Sequence, residues 1–236
     1  MAPPTVAELA LMIDHSIIDP FHTDKDLEEG VALAKKYGTG RFVTQPFRVK
    51  TARQLLEGSN ITLQTFVGFH GGNDHTEVKV LQAQRAIEDG AQELDMIINI
   101  SALMSGDIDY VKQDVKAVVD VAKPSGVPVK AILEVYYLND DQVQSAALAA
   151  EWAGVSFIKT STGLRPDTID DIAHKVALLR SILKPETAIK ASGGCYTIDA
   201  ILAYYKAGAR RFGASATASI LDDYAKMLTD GTTGIE

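Results

Sequence analysis

The sequence has one cysteine, one tryptophan and no long apolar run, and each shortage excludes something. With Cys195 alone no internal disulfide can form, which fits a reducing compartment. No uninterrupted apolar stretch approaches the roughly eighteen residues that a transmembrane helix requires. Met1 to Asp14 carries acidic residues and no basic segment, so no secretory signal is expected and the sequons at Asn60 and Asn99 mean nothing for glycosylation. Positive charge is also scarce: 23 Lys and Arg stand against 31 Asp and Glu, a formal net charge of -8. That balance argues against a nucleic-acid partner and against an anionic membrane, so any anionic substrate must be held by a local site. A cytoplasmic protein is expected. The Gly-x-Gly-x-x-Gly fingerprint is missing after the first apolar run, which weakens a dinucleotide-binding fold.

What is present is a regular alternation of short apolar runs with helical spacings. After a short helix over Val6–Met12, strands are predicted at Ile13–Ser16, Arg41–Gln45, Thr62–Phe69, Glu93–Asn99, Val127–Val135, Val155–Ile158, Thr187–Ala191 and Arg210–Phe212. Between them the spacing predicts helices over Asp24–Tyr37, Phe47–Leu56, Asp74–Glu88, Asp107–Ala122, Asp140–Ala153, Asp167–Leu183, Ile198–Ala207 and Ser215–Leu228, many closed by glycine or proline. Eight strand-helix units with short links and no break in composition over the 236 residues predict one domain, an α/β fold of the closed (β/α)8 TIM-barrel type with a short N-terminal helix. In such a barrel the active site lies at the carboxyl ends of the strands, so polar residues there become informative.

Three of those ends carry charge. Lys159 closes the apolar run of the sixth strand. A lysine there can simply snorkel to water, but an amine partly withdrawn from water is easier to deprotonate and can then attack a carbonyl. Lys190 ends the short apolar run of the seventh strand, a neighbour of the sixth, and a second ammonium so close pushes one amine towards neutrality. Asp95 interrupts the fourth strand, where a buried carboxylate needs a cation. The expected division gives Lys159 as nucleophile, Lys190 as the cation that depresses it, and Asp95 as the partner of Lys190 and a proton shuttle; the competing reading is a buried ion pair without chemistry. Lys130 and Glu134 share a face of the predicted fifth strand and rank below these three. Ser192-Gly193-Gly194 and Gly213-Ala214-Ser215 open the last two helices, and Gly163 lies on the loop before them. Glycines permit tight turns anywhere, but their clustering on consecutive loops favours an anion, specifically phosphate, held by backbone N–H groups. His70 and His75 lack a third ligand, so no metal site is expected; His15, His22 and His174 read as structural or surface residues.

Taken together, Phe157-Ile158-Lys159-Thr160-Ser161-Thr162-Gly163, Glu93-Leu94-Asp95-Met96-Ile97-Ile98-Asn99, Lys190-Ala191-Ser192-Gly193-Gly194 and Arg211-Phe212-Gly213-Ala214-Ser215 resemble the deoxyribose-phosphate aldolase family. The resemblance spans nearly the whole chain. It implies a class I aldolase, needing no cofactor or metal, that reversibly cleaves 2-deoxyribose 5-phosphate to acetaldehyde and glyceraldehyde 3-phosphate. It further implies that Lys159 carries the Schiff base, that Asp95 and Lys190 relay protons, that Asp14, Ser16 and Thr162 meet substrate hydroxyls or their waters, and that the protein is a homodimer.

Departures from the family pattern concentrate at the substrate end. Thr44 stands where a cysteine or another small residue is common, and Phe69-His70-Gly71-Gly72 replaces a Phe-Pro-x-Gly turn. Leu164, Tyr196 and Ala216 occupy positions where some members have a basic residue, an arginine and a serine, with Arg165 adjacent as a substitute. The tail, Thr229 to Glu236, has no terminal tyrosine. Relaxed discrimination for phosphate is therefore expected. Two alternatives stay open: another Schiff-base aldolase or transaldolase on the same barrel, and a non-catalytic sugar-phosphate-binding protein.

Overall fold

The computed structural model describes residues 3–165 and 168–234. Eight strands, β1 (Ile13–Ile17), β2 (Arg41–Thr44), β3 (Thr62–Val67), β4 (Glu93–Ile97), β5 (Val129–Ile132), β6 (Phe157–Lys159), β7 (Ala188–Ser192) and β8 (Arg211–Ala214), pair in sequence order and close, β8 against β1, into a parallel barrel. Every strand is rich in buried residues, as expected when both faces of a parallel sheet are covered. Around it run α1 (Val6–Leu11), α2 (Asp24–Tyr37), α3 (Val49–Leu55), α4 (Thr76–Glu88), α5 (Ile100–Met104), α6 (Ile108–Ala122), α7 (Asp140–Ala153), α8 (Ile169–Ile182), α9 (Ile198–Ala207) and α10 (Thr217–Asp230). Among the described residues no helix is long and apolar enough to cross a membrane.

The helix ends follow local chemistry. Thr23 with Asp26, and Asn139 with Gln142, form reciprocal capping boxes at the starts of α2 and α7; Gly38 and Gly154 end the same helices in the left-handed region. The first helix is tied down by Tyr224 of α10, whose hydroxyl donates to the Pro4 carbonyl at 2.6 Å. The apolar core fills the layer between strands and helices, with Phe42, Leu63 and Phe212 wholly buried there.

Three boundaries differ from the sequence expectation in ways that bear on the site. The fifth strand was expected to reach Val135 but stops at Ile132: Glu134 turns left-handed, at φ 57° and ψ 63°, and a 3-10 turn over Val135–Tyr137 follows. Asn99, expected as strand, instead caps the unexpected helix α5 by accepting from the Ala102 N–H at 3.0 Å. The final helix begins two residues late, at Thr217, leaving Gly213-Ala214-Ser215 free to line a cleft. The expected start of the eighth helix at Asp167 lies outside the described residues, as does the end of the tail, Ile235 and Glu236.

Candidate active site

Strand register brings the predicted charges together. Lys159 on β6 is level with Lys190 on β7, and Asp95 on β4 is level with Lys130 on β5. All four side chains turn into the barrel. The Asp95 Oδ2 accepts from Lys159 Nζ and from Lys190 Nζ, each at 2.9 Å, while its Oδ1 lies 3.3 Å from Lys130 Nζ. Asp95 thus serves both lysines, where the sequence had assigned it to Lys190 alone. Lys190 has a second carboxylate, Asp14 Oδ2 at 2.5 Å, and Asp14 in turn faces Arg211 at 3.4 Å. Lys130 donates to Gln64 Oε1 at 2.9 Å and pairs tightly with Glu93, whose other oxygen takes Arg41 Nε at 3.0 Å.

Burial and these neighbours set the charge states. Burial opposes ionisation of Asp95, but the attraction of Lys159, Lys190 and Lys130 outweighs it and holds the carboxyl well below the usual range. Asp14 is lowered in the same way, against its own burial, chiefly by Lys190. For Lys190, burial alone would favour the neutral amine, yet Asp14 and Asp95 together keep it protonated beyond the ordinary lysine range. Lys159 goes the other way: burial is the main cause, the Lys190 charge adds to it, and the pull of Asp95 only partly compensates, leaving the amine at about 8. At pH 7 about a tenth of Lys159 is then neutral, about 300 times the share of an ordinary lysine. Asp95 keeps its negative charge throughout this range, so it anchors the lysines and is poorly suited to take up a proton itself. Cys195 is buried, its thiol pushed up to about 12 by burial, and is inert as a nucleophile.

Above this network opens a cleft. Lys159 lies on its wall together with Ser16 and Thr162, and Gly163, Gly193, Gly194, Gly213 and Ser215 line it as well. Gly193 and Gly194, both on the cleft wall, adopt φ 95° and 66°, a conformation that side chains resist. A methyl on Gly213 would stand 2.7 Å from Ser192 Oγ, so the serine hydroxyl would have to shift to admit a side chain there. Asp14, Asp95 and Lys190 do not line the cleft. Asp14, expected at a substrate hydroxyl, is wholly buried behind Lys190. Leu164 and Tyr196 stand at the rim, and Asp19 joins them; among the described residues Lys159 is the one cation on the wall. Arg165 lies over the Tyr137 ring at 5.3 Å, outside the cleft lining.

Some of the network escaped the sequence reading. Lys130, ranked low, sits inside it, while Glu134 leaves it and holds Thr162. Glu93, two positions before Asp95 and hence on the same face of β4, carried the period-two signal that identifies it as inward-facing. Arg211 stood in a quoted motif without a role. His15 accounts for itself structurally: its Nδ1 meets Thr217 Oγ1 at 2.8 Å, and burial pushes the ring down to about 4, so it stays neutral.

A buried amine with a lowered pKa beside a cation, at the strand carboxyl ends of a closed barrel, is the arrangement of an imine-forming enzyme. Comparison with known proteins agrees. Residues 8–220 match the sequence pattern of the DeoC/LacD family aldolases. The chain belongs to that family. It is 38% identical over 223 residues to a deoxyribose-phosphate aldolase of Bacteroides thetaiotaomicron, covering 94% of this chain and 93% of the other. Identity is 40% over 219 residues to the deoxyribose-phosphate aldolase of Thermococcus gammatolerans, 91% and 96% of the two chains. The structure of deoxyribose phosphate aldolase from Aeropyrum pernix, described as tetrameric, superposes with a TM-score of 0.87 at 29% identity, covering 94% and 93%. As a member of this family the protein is an aldolase, a carbon-carbon lyase.

Proposed function

We propose that this aldolase cleaves 2-deoxyribose 5-phosphate reversibly through an imine on Lys159. The neutral Lys159 amine attacks the C1 aldehyde of the open-chain sugar, and loss of water with uptake of one proton gives a protonated imine. The C3 hydroxyl then gives up its proton, the C2–C3 bond breaks, and its electron pair moves into the imine to form an enamine. Glyceraldehyde 3-phosphate leaves; protonation of the enamine at C2 and hydrolysis release acetaldehyde and restore the amine. The imine is the electron sink, so the reaction calls for no cofactor and no metal. Lys190, held protonated, supplies the positive charge beside the imine and moves protons together with water, and Asp95 fixes both ammonium groups. The single observation that carries this reading is the Asp95 oxygen shared at 2.9 Å by two lysines, of which only Lys159 reaches the cleft.

Gly163, Gly193, Gly194, Gly213 and Ser215 form a backbone cradle for the phosphate, and Ser16 and Thr162 meet the sugar hydroxyls. With Leu164 and Tyr196 on the rim and Arg165 over Tyr137, no side-chain cation among the described residues other than Lys159 lines the cleft, so the phosphate is accepted with little preference over unphosphorylated 2-deoxyribose. One domain, working in the cytoplasm as a homodimer, completes the reading; Phe47 and Leu81, 75% and 62% exposed beside Val78, supply an apolar face suited to self-association. The test is incubation with acetaldehyde and borohydride followed by peptide mass mapping. A reduced ethyl group on Lys159, absent from Lys159→Ala, is expected; no adduct, or an adduct on another lysine, sinks the proposal and favours a binding protein or a different donor.

A further inference from the structure

Glu134 is the one non-glycine residue with positive φ among the described residues, and it is 3% exposed. A side chain in this backbone region is disfavoured and persists only where its surroundings over-determine it. Here they do. The neighbouring N–H groups of Leu133 and Val135 donate to the carbonyls of Lys159 and Thr160, each at 3.0 Å, so the Glu134 backbone is clamped along the loop that leaves the reactive lysine. Its carboxyl group leaves the charged network beneath the cleft and turns to Thr162. The Oε2 accepts from the Thr162 N–H at 3.2 Å and from its hydroxyl at 2.5 Å, while Oε1 is buried without a partner.

These bonds decide what Thr162 can offer a substrate. A threonine hydroxyl has one proton and two lone pairs. Its proton goes to Glu134, and one lone pair accepts the Leu164 N–H at 3.2 Å. The lone pair left over makes Thr162, which lines the cleft beside Lys159, an acceptor only. An acceptor repels a carbonyl oxygen and attracts a hydroxyl. During the reaction described above, the C3 oxygen alternates between hydroxyl and carbonyl, whereas the hydroxyl on the next carbon, the α-hydroxyl of the acceptor aldehyde, keeps its proton in both directions.

Resting on that reading of the function, we propose that Glu134 is a positioning residue that fixes Thr162 as a hydrogen-bond acceptor for the α-hydroxyl of the acceptor aldehyde, making the enzyme selective for α-hydroxyaldehydes. The experiment measures kcat/KM for adding acetaldehyde to D-glyceraldehyde and to propanal, with the ratio of the two as readout. The wild type favours glyceraldehyde. In Glu134→Ala the ratio falls about tenfold, the share of one hydrogen bond. Thr162→Val lowers it by a similar factor, the double variant goes no lower, and Glu134→Gln, which keeps an acceptor oxygen, stays within about threefold of the wild type. Should Glu134→Ala fail to fold, Thr162→Val and Glu134→Gln decide between themselves. A wild type without preference, a ratio unmoved by Thr162→Val, or equal losses on both aldehydes in Glu134→Ala overturns the proposal. Borohydride trapping on the wild type separates the layers: an ethylated Lys159 with an unmoved ratio removes the role of Glu134 alone, and no adduct removes both.

Discussion

Replacing Lys190 by methionine removes a charge from the network and keeps the length of the side chain. The amine of Lys159 then stops feeling a neighbouring cation, and Asp95 and Asp14, both now short of one partner, turn their attraction on it. Each of these changes favours the ammonium form, so the sign is upward from about 8 towards the ordinary lysine value of 10.5. Burial still holds the amine below that value, and each unit of rise lowers the neutral share at pH 7 about tenfold. The assay is the rate of borohydride trapping of acetaldehyde as a function of pH, which reads the amine without requiring the later proton transfers. In the wild type the rate climbs with pH and levels above about 8. In Lys190→Met the midpoint lies at least about one unit higher and the two rates converge as the pH approaches 10.5. Removing one member of a buried pair costs about 3–5 kcal/mol, lessened here because Asp14 retains Arg211 and Asp95 retains Lys130, so the midpoint is read below the measured Tm of the variant. A trapping midpoint that stays put or moves down would falsify the assignment of Lys190 as the cation that tunes Lys159.

In Asp95→Asn, Lys159 loses its attraction to a carboxylate and its pKa falls, so trapping at pH 7 persists while turnover drops by about 10² as both lysines lose the group that positions them; loss of trapping and turnover in equal measure tells against Asp95 as an anchor. Tyr196→Arg places a cation at the cleft rim, and the kcat/KM ratio of 2-deoxyribose 5-phosphate over 2-deoxyribose should rise about tenfold, with no rise counting against a phosphate at these loops. Outside the cleft lining, Lys79 is wholly buried with its Nζ 2.6 Å from Asp114. Lys79→Met strands that carboxylate, so thermal unfolding should show a loss of about 3–5 kcal/mol with kcat/KM little changed.

The alternation of strands and helices was legible because each unit is local: a buried run, a cap, a left-handed glycine stop. Lys159, Lys190 and Asp95 stood out for the same reason, as charges breaking short apolar runs. What stayed hidden depends on register across the barrel. That Asp14 faces inward behind Lys190, and not into the cleft, follows from β1 pairing with β8 at Asp14 and Gly213, a contact separated by most of the chain. The direction of Glu134 was misjudged because the period-two rule assumes that the strand continues, and the strand ends two residues earlier. Asn99 was read as strand although asparagine is a strong helix cap, since nothing in an apolar run announces the turn that follows it.

The network also explains why burial lowers the pKa of Lys159 and not that of Lys190. Lys130, Lys159, Lys190 and Arg211 are buried cations joined to three buried carboxylates, Asp14, Glu93 and Asp95, with Arg41 partly solvated at the edge. In a medium where an unpaired charge is costly, four buried cations against three anions leave one too many. The excess falls where attraction is weakest. Lys190 has two carboxylates within 2.9 Å and Lys130 has Glu93 and Asp95, but Lys159 has only the oxygen of Asp95 that it shares with Lys190. It is also the one of these lysines that lines the cleft, where a proton can leave to water. Turning the amine into a protonated imine restores the fourth positive charge, and breaking the C–C bond removes it again by delivering an electron pair. The same charge imbalance that frees the nucleophile therefore favours the step that consumes the imine.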